Sequence, residues 1–151
     1  MQTYPRSFLI SFGAYYGRRL VGCKLIGYGR TAIRILATCN IPFALRSGGH
    51  NPNPGVNSNR RVVIVTSGFT SLSYSPSTET VTLGAGLRWE KVFFGLQRHA
   101  RTAVGPRHSQ VGVSGYLLGG GIGHLSQEFG FGAGDVVEME VTPRGSMSGA
   151  H

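Results

Sequence analysis

The stretch Ile41-Pro42-Phe43-Ala44-Leu45-Arg46-Ser47-Gly48-Gly49-His50 decides how this chain reads. Residues 43–46 read as a strand, and the paired glycines end it in a turn. Glycine carries no Cβ, so a backbone built from it can come close to a ligand. The turn then delivers one imidazole, His50. Asn51-Pro52-Asn53-Pro54-Gly55 follows as a rigid loop, because two prolines and a glycine in five residues break any ladder.

Two further glycine groups lie downstream, Gly84-Ala85-Gly86 and Gly119-Gly120-Gly121-Ile122-Gly123. Glycine makes up 24 of the 151 residues, against a usual share of about 7%. The glycines have no collagen-like period and cluster after apolar runs, which points to tight turns rather than low complexity. Together the three groups suggest a backbone wrapped around a large phosphate-bearing cofactor.

A chain of this length fits one ordinary domain with a real core. The net charge is +9 and unevenly spread: residues 1–78 carry nine Lys/Arg and no acidic residue, residues 79–151 six of each. A basic half can attract phosphates or nucleic acid. Its arginines are scattered, however, paired only at Arg18-Arg19 and Arg60-Arg61, with no zinc-finger or RNA-binding signature. A solvated basic face is the plainer reading. Cys23 and Cys39 make neither a disulfide framework nor a metal spacing. Ser7–Gly17 is a weak signal-like stretch without a convincing cleavage site, so cytoplasmic and secretory locations both stay open. No apolar run is long enough for a membrane span.

Residues 1–28 have poor periodicity and stay an unplaced N-terminal segment. Arg30–Cys39 reads as a helix, with Ile33, Leu36 and Ala37 on one face, ended by Pro42. Val62–Val65 is a buried strand, and Ser71–Ser77 a polar turn region. Thr80–Leu83 alternates as a strand. Trp89, Val92, Phe93 and Leu96 mark the core face of a helix. Thr102–Val104 reads as a short strand, Val111–Gly123 as a glycine-rich loop, and Val136–Val141 as a last strand. Residues 143–151 read as a frayed tail. The alternation predicts an α+β or mixed α/β fold.

Neither standard phosphate cradle is present. The Rossmann fingerprint lacks its context and the Walker loop lacks Gly-Lys-Ser/Thr. Backbone amides in such turns still form anion-binding nests. His50, His99, His108, His124 and His151 show no metal-ligand spacing. Gly112-Val113-Ser114-Gly115 lacks the glycine that a nucleophile elbow needs before its serine. His50 differs from the other histidines, since a fixed, accessible imidazole is a nucleophile for an electrophilic cofactor carbon.

These motifs, in this order, resemble the FAD-binding domain of the p-cresol methylhydroxylase/vanillyl-alcohol oxidase superfamily, closest to its berberine bridge enzyme-like branch. The resemblance runs from about Gly29 to Val141. It rests on Pro42–Asn51, Thr80–Trp89 and Val111–Gly121. It implies an α+β fold, a partial FAD-binding domain over residues 29–142, and FAD as cofactor. It places Arg46, Ser47, Gly48, Gly49, His50 and Asn51 against the pyrophosphate and ring, with His50 forming an 8α-histidyl bond. A second wall would come from Gly112, Val113, Gly115, Gly119, Gly120 and Gly121. Bicovalent relatives carry a cysteine where this chain has His108, so a second, cysteinyl link is not expected. Val65 and Gly134-Asp135 also depart from the family pattern.

The resemblance further implies flavin-mediated oxidation of a small molecule, in a secondary-metabolite setting. Relatives are longer and add a substrate domain, so the chain reads as the flavin-binding part of such an oxidoreductase. The missing domain would hold the catalytic base, which no residue here supplies. The alternatives are an inactive remnant, a flavin-binding module dependent on a partner chain, and a basic nucleic-acid-binding module.

Overall fold

The computed structural model describes residues 7–11, 26–57 and 62–141. The tail at 143–151, Arg18-Arg19, Cys23, Arg60-Arg61, His151 and most of the 1–28 segment lie outside these residues.

A four-stranded sheet carries most of the core. Its strands are β1 (Ser7–Ser11), β4 (Leu72–Ser75), β5 (Thr80–Gly84) and β6 (Val136–Glu140), in the order β4-β5-β1-β6. β1 lies between two parallel partners, in register with β5 from Ser7↔Thr80 to Ser11↔Gly84, while β4 is an antiparallel edge. A separate parallel pair joins β2 (Phe43–Arg46) to β3 (Val62–Val65), in register from Phe43↔Val62 to Arg46↔Val65. Helices α1 (Ile26–Thr38), α2 (Trp89–Gln97), α3 (Val113–Leu118) and α4 (Ser126–Phe129) complete the α+β arrangement.

Each sheet has its own core. Val81 and Leu83 of β5 meet Trp89, Val92 and Leu96 of α2, with Leu87, Ala103, Val113 and Leu117. The apolar face expected of α2 is thus the face it buries; Phe93 is partly buried beside it. The second cluster is Leu36 of α1 against Val62 and Ile64 of β3.

α1 ends earlier than Pro42 requires. The Asn40 amide donates to Ala37 O and the Ile41 amide to Leu36 O, while Asn40 takes φ +49. This is a Schellman cap with asparagine at the left-handed position. The same pattern closes α2, where Ala100 sits at φ +53 and the Arg101 amide donates to Leu96 O.

Several local expectations are corrected. Ser7–Ser11, left unplaced, is a strand of the main sheet. Leu72–Ser75, read as part of a polar turn, is the edge strand β4. Its Leu72 and Tyr74 alternate onto the core, a period-2 pattern that the surrounding serines hide. Thr102–Val104 forms no strand; Ala103 and Val104 are buried without one. The Val111–Gly123 stretch is not all loop, since it contains α3.

Candidate functional site

The carboxyl ends of β2 and β3 meet α3 at a cleft of about 480 Å³. Ser47, Gly48, Gly49, His50 and Asn51 line one side, and Gly112, Ser114, Gly115, Tyr116 and Leu118 the other. Thr66 and Val111 also contribute to the lining.

The two sides touch backbone to backbone. A Cβ on Gly48 would lie 2.5 Å from Gly112 N, and a Cβ on Gly112 would lie 2.5 Å from Gly48 N. Both glycines are therefore fixed by this crossing as well as by any ligand. Gly112 is held in turn by a bridge to Arg88, with the Trp89 amide on Val111 O and the Val113 amide on Leu87 O, each at 3.0 Å.

A knot of hydroxyls sits at the crossing. Ser47 Oγ donates to Ala85 O at 2.6 Å and Thr66 Oγ1 donates to it at 3.1 Å. Ser114 Oγ lies 2.8 Å from Ser47 Oγ and 2.7 Å from Ala85 O, and so donates to one or the other. Four segments distant in sequence are thus pinned at one carbonyl. The Gly84–Gly86 turn exists for this packing: a Cβ on Gly86 would lie 1.9 Å from Thr66 O, and one on Gly84 2.3 Å from Phe69 O. Neither glycine lines the cleft.

Gly49 takes φ +66, a left-handed conformation that glycine adopts without cost. Among the described residues, no backbone hydrogen bond takes up the amides of Gly48, Gly49 or His50. The Arg46 guanidinium packs on the same turn, its Nε 3.0 Å from where a Gly49 Cβ would stand, and forms no salt bridge among the described residues. Successive backbone amides with no backbone partner among the described residues are the kind of turn that can act as an anion-binding nest.

Gly115 differs from Gly48 and Gly112, which meet each other's backbone. It is exposed within α3 on the cleft wall, and a Cβ there would meet nothing within 4 Å. No packing in the described chain requires a glycine at this helical position, which costs about 0.5–1 kcal/mol relative to alanine.

His50 and His108 stand exposed, their rings stacked with centroids 5.2 Å apart and 28° between planes. Tyr116 closes the inner side, edge-on to Trp89 at 5.1 Å. Its hydroxyl is buried and has no hydrogen-bond partner among the described residues, and burial pushes the phenol up to about 12.

The sequence-derived site residues thus divide. Ser47, Gly48, Gly49, His50, Asn51, Gly112 and Gly115 come together on the cleft, while Arg46 packs on the Gly49 turn and is not on the lining. Val113 is fully buried in the core. Gly119, Gly120 and Gly121 turn away from the lining: Gly120 and Gly121 take φ +98 and +79, and their carbonyls accept from the Ala133 and Gly132 amides. Sequence reasoning missed Thr66, Val111, Ser114 and Leu118. Thr66 directly follows the apolar β3 run, and Ser114 lies inside the glycine motif, which were the available signals. His99 meets Tyr74 in a tilted ring contact, centroids 4.8 Å apart, beyond the end of α2. His124 is exposed and lies off the lining, and Cys39 is a free, exposed thiol. No group of three metal-ligating side chains occurs among the described residues. No described helix is long and apolar enough to cross a membrane.

Residues 27–148 match the family model of the FAD binding domain. An uncharacterized FAD-linked oxidoreductase of Arthroderma benhamiae is 41% identical over 100 residues, covering 66% of this chain and 20% of that protein. The FAD-dependent monooxygenase prx3 of Penicillium roqueforti is 40% identical over 111 residues, covering 72% and 22%. The chain therefore spans about a fifth of the length of these relatives. Among solved structures, 6-hydroxy-D-nicotine oxidase from Arthrobacter nicotinovorans superposes with a TM-score of 0.69 at 25% identity, over 78% of this chain and 27% of that one. A BBE-like 1 protein of Physcomitrella patens gives 0.64 at 26% identity, over 72% and 24%.

Proposed function

The chain belongs to the FAD binding domain family, and on that premise we propose that it is the flavin-holding part of an FAD-linked oxidoreductase acting on a small molecule. The names of its relatives, FAD-linked oxidoreductases and FAD-dependent monooxygenases, support this class. One observation carries the assignment to this cleft. Gly115 lacks a side chain where nothing among the described residues would obstruct one, and it lines the same cleft as the strand-end turn.

The amides of Gly48, Gly49 and His50, with the Arg46 guanidinium, bind the pyrophosphate. Gly115 and the Gly112 backbone let the cofactor lie close against α3. Ser47 and Ser114 are engaged at the Ala85 carbonyl, so they hold the two walls at fixed separation. His50 presents its imidazole at the cleft as the covalent attachment point. The bound flavin supplies the two-electron redox chemistry, and the protein supplies position and electrostatics.

The test is to express the chain with FAD and measure flavin that survives acid precipitation. The expected result is acid-stable flavin in the wild type and only acid-labile flavin in His50→Ala. Unchanged acid-stable flavin in His50→Ala removes the attachment role. Absence of any FAD binding removes the wider reading.

A further inference from the structure

We propose that His108 is a positioning residue for His50, holding its imidazole in the orientation from which it bonds to the flavin. The inference rests on the attachment role given to His50 above. It starts from an asymmetry between the two rings. His50 makes no hydrogen bond through its ring among the described residues, and its one ring contact there is the stack on His108.

His108 is itself tightly held. Its Nδ1 accepts a hydrogen bond from the Gln110 amide at 3.2 Å, which leaves the proton of a neutral ring on Nε2. The loop carrying it is bound to the first turn of α2. The Glu90 amide donates to Ser109 O at 2.8 Å. Gln110 Nε2 donates to the Glu90 carboxylate at 2.5 Å, and the Arg88 guanidinium donates to Gln110 O. One imidazole is thus anchored to a helix with a buried tryptophan at its start, and the other leans on it.

The reaction that this serves needs orientation more than acid–base help. A ring nitrogen of His50 forms a bond to the 8α carbon of the flavin, and one C–H bond of that methyl group breaks. The methyl hydrogen and the imidazole N–H hydrogen leave as protons. The electron pair of the broken C–H bond passes into the flavin, which takes up two protons and is left reduced by two electrons. Dioxygen then reoxidises it and becomes hydrogen peroxide. The nitrogen lone pair lies in the ring plane, so fixing that plane fixes the direction of attack. A ring stacked on one face of His50 opposes its rotation about χ2. Preorganisation of this kind is a recognised source of rate in intramolecular reactions.

The experiment compares wild type, His108→Ala and His108→Phe as full chains, with two readouts. The first is the rate of covalent flavin incorporation, followed by intact mass after mixing with FAD, alongside non-covalent FAD binding by fluorescence quenching. His108→Ala should incorporate about tenfold more slowly with FAD affinity unchanged, as expected for lost orientation. His108→Phe keeps a ring face without nitrogens and should restore most of the rate. Incorporation by His108→Ala at the wild-type rate overturns the proposal, and so does His108→Phe as slow as His108→Ala.

The second readout needs no flavin. In NMR spectra of the labelled chain, the His50 ring protons should carry a ring-current shift that His108→Ala removes and His108→Phe keeps. A chain that takes no covalent flavin at all counts against His50 as the attachment point. The positioning claim is then decided by these shifts, and their absence in the wild type overturns it.

Discussion

Replacing Gly115 by alanine should make the empty protein more stable and the FAD-bound protein less so. The methyl group meets no atom within 4 Å, so it adds no clash. Alanine in a helix is favoured over glycine by about 0.5–1 kcal/mol. For a chain of this size that raises Tm by roughly 1–4 °C. Gly115 lines the cleft, and a methyl that overpacks there against a close-fitting partner costs about 1–3 kcal/mol. Affinity for FAD should fall roughly 5- to 150-fold.

The two effects cross in one assay. With FAD at 100 times the wild-type Kd, binding stabilises the wild type by about 2.7 kcal/mol. A variant that binds roughly 30-fold more weakly gains only about 0.9 kcal/mol from the same ligand. Even with its helix advantage it then melts below the wild type. Thermal unfolding followed by circular dichroism, with and without FAD in a His50→Ala background, reads the inversion directly. A Gly115→Ala variant that stays more stable than the wild type at every FAD concentration would show that α3 does not press against the cofactor.

The other glycines and polar groups at the site give distinct outcomes. Gly48→Ala sets a Cβ 2.5 Å from Gly112 N, so it should lower Tm without FAD by several degrees, the signature of overpacking at about 1–3 kcal/mol or more; an unchanged melt would contradict the backbone crossing. Ser114→Ala removes one donor from the Ala85 knot and should cost about 1 kcal/mol in urea unfolding at unchanged m. Tyr116→Phe deletes a buried hydroxyl that lacks a partner among the described residues and should be neutral or stabilising at pH 7, read as an equal or higher Tm. Burial raises the Tyr116 phenol from 10.0 to about 12. The stability tied to its neutral form is therefore complete below pH 10 and lost as pH rises toward 12. Stability curves of wild type and Tyr116→Phe should diverge across that window, and parallel curves would contradict the burial. Ala100→Gly should gain about 1 kcal/mol by relieving the left-handed residue that closes α2, measured by thermal melting.

What could be read from the sequence followed the strength of local periodicity. Trp89, Val92 and Leu96 repeat at helical spacing, and the face they mark is the one α2 buries. Thr80–Leu83 and Val62–Val65 stand out because their branched, apolar residues sit between clear turn signals. β1 escaped notice because only Phe8-Leu9-Ile10 is continuously apolar. A three-residue apolar run between serines is too short to show a period. The site was legible as two glycine motifs, since both meet at the cleft. What could not be read was which glycine answers to which neighbour. Gly48 and Gly112 meet each other, Gly84 and Gly86 meet the residue 66–69 turn, and Gly115 meets open space. That division depends on approaches between segments dozens of residues apart, and no local pattern encodes them.

The hydroxyl knot at Ala85 lies on a seam between two separately packed units. One is the α1–β2–β3 cluster around Leu36 and Ile64, and the other the larger core around Trp89. The smaller unit has only three buried apolar side chains in its cluster, so it should open on its own before the whole protein melts. A ligand seated across the cleft touches both units at once and acts as a staple between two foldons. Amide exchange in β2 and β3 should then slow on FAD binding far more than exchange in β5. In this view the cofactor completes the fold as well as equipping it for chemistry.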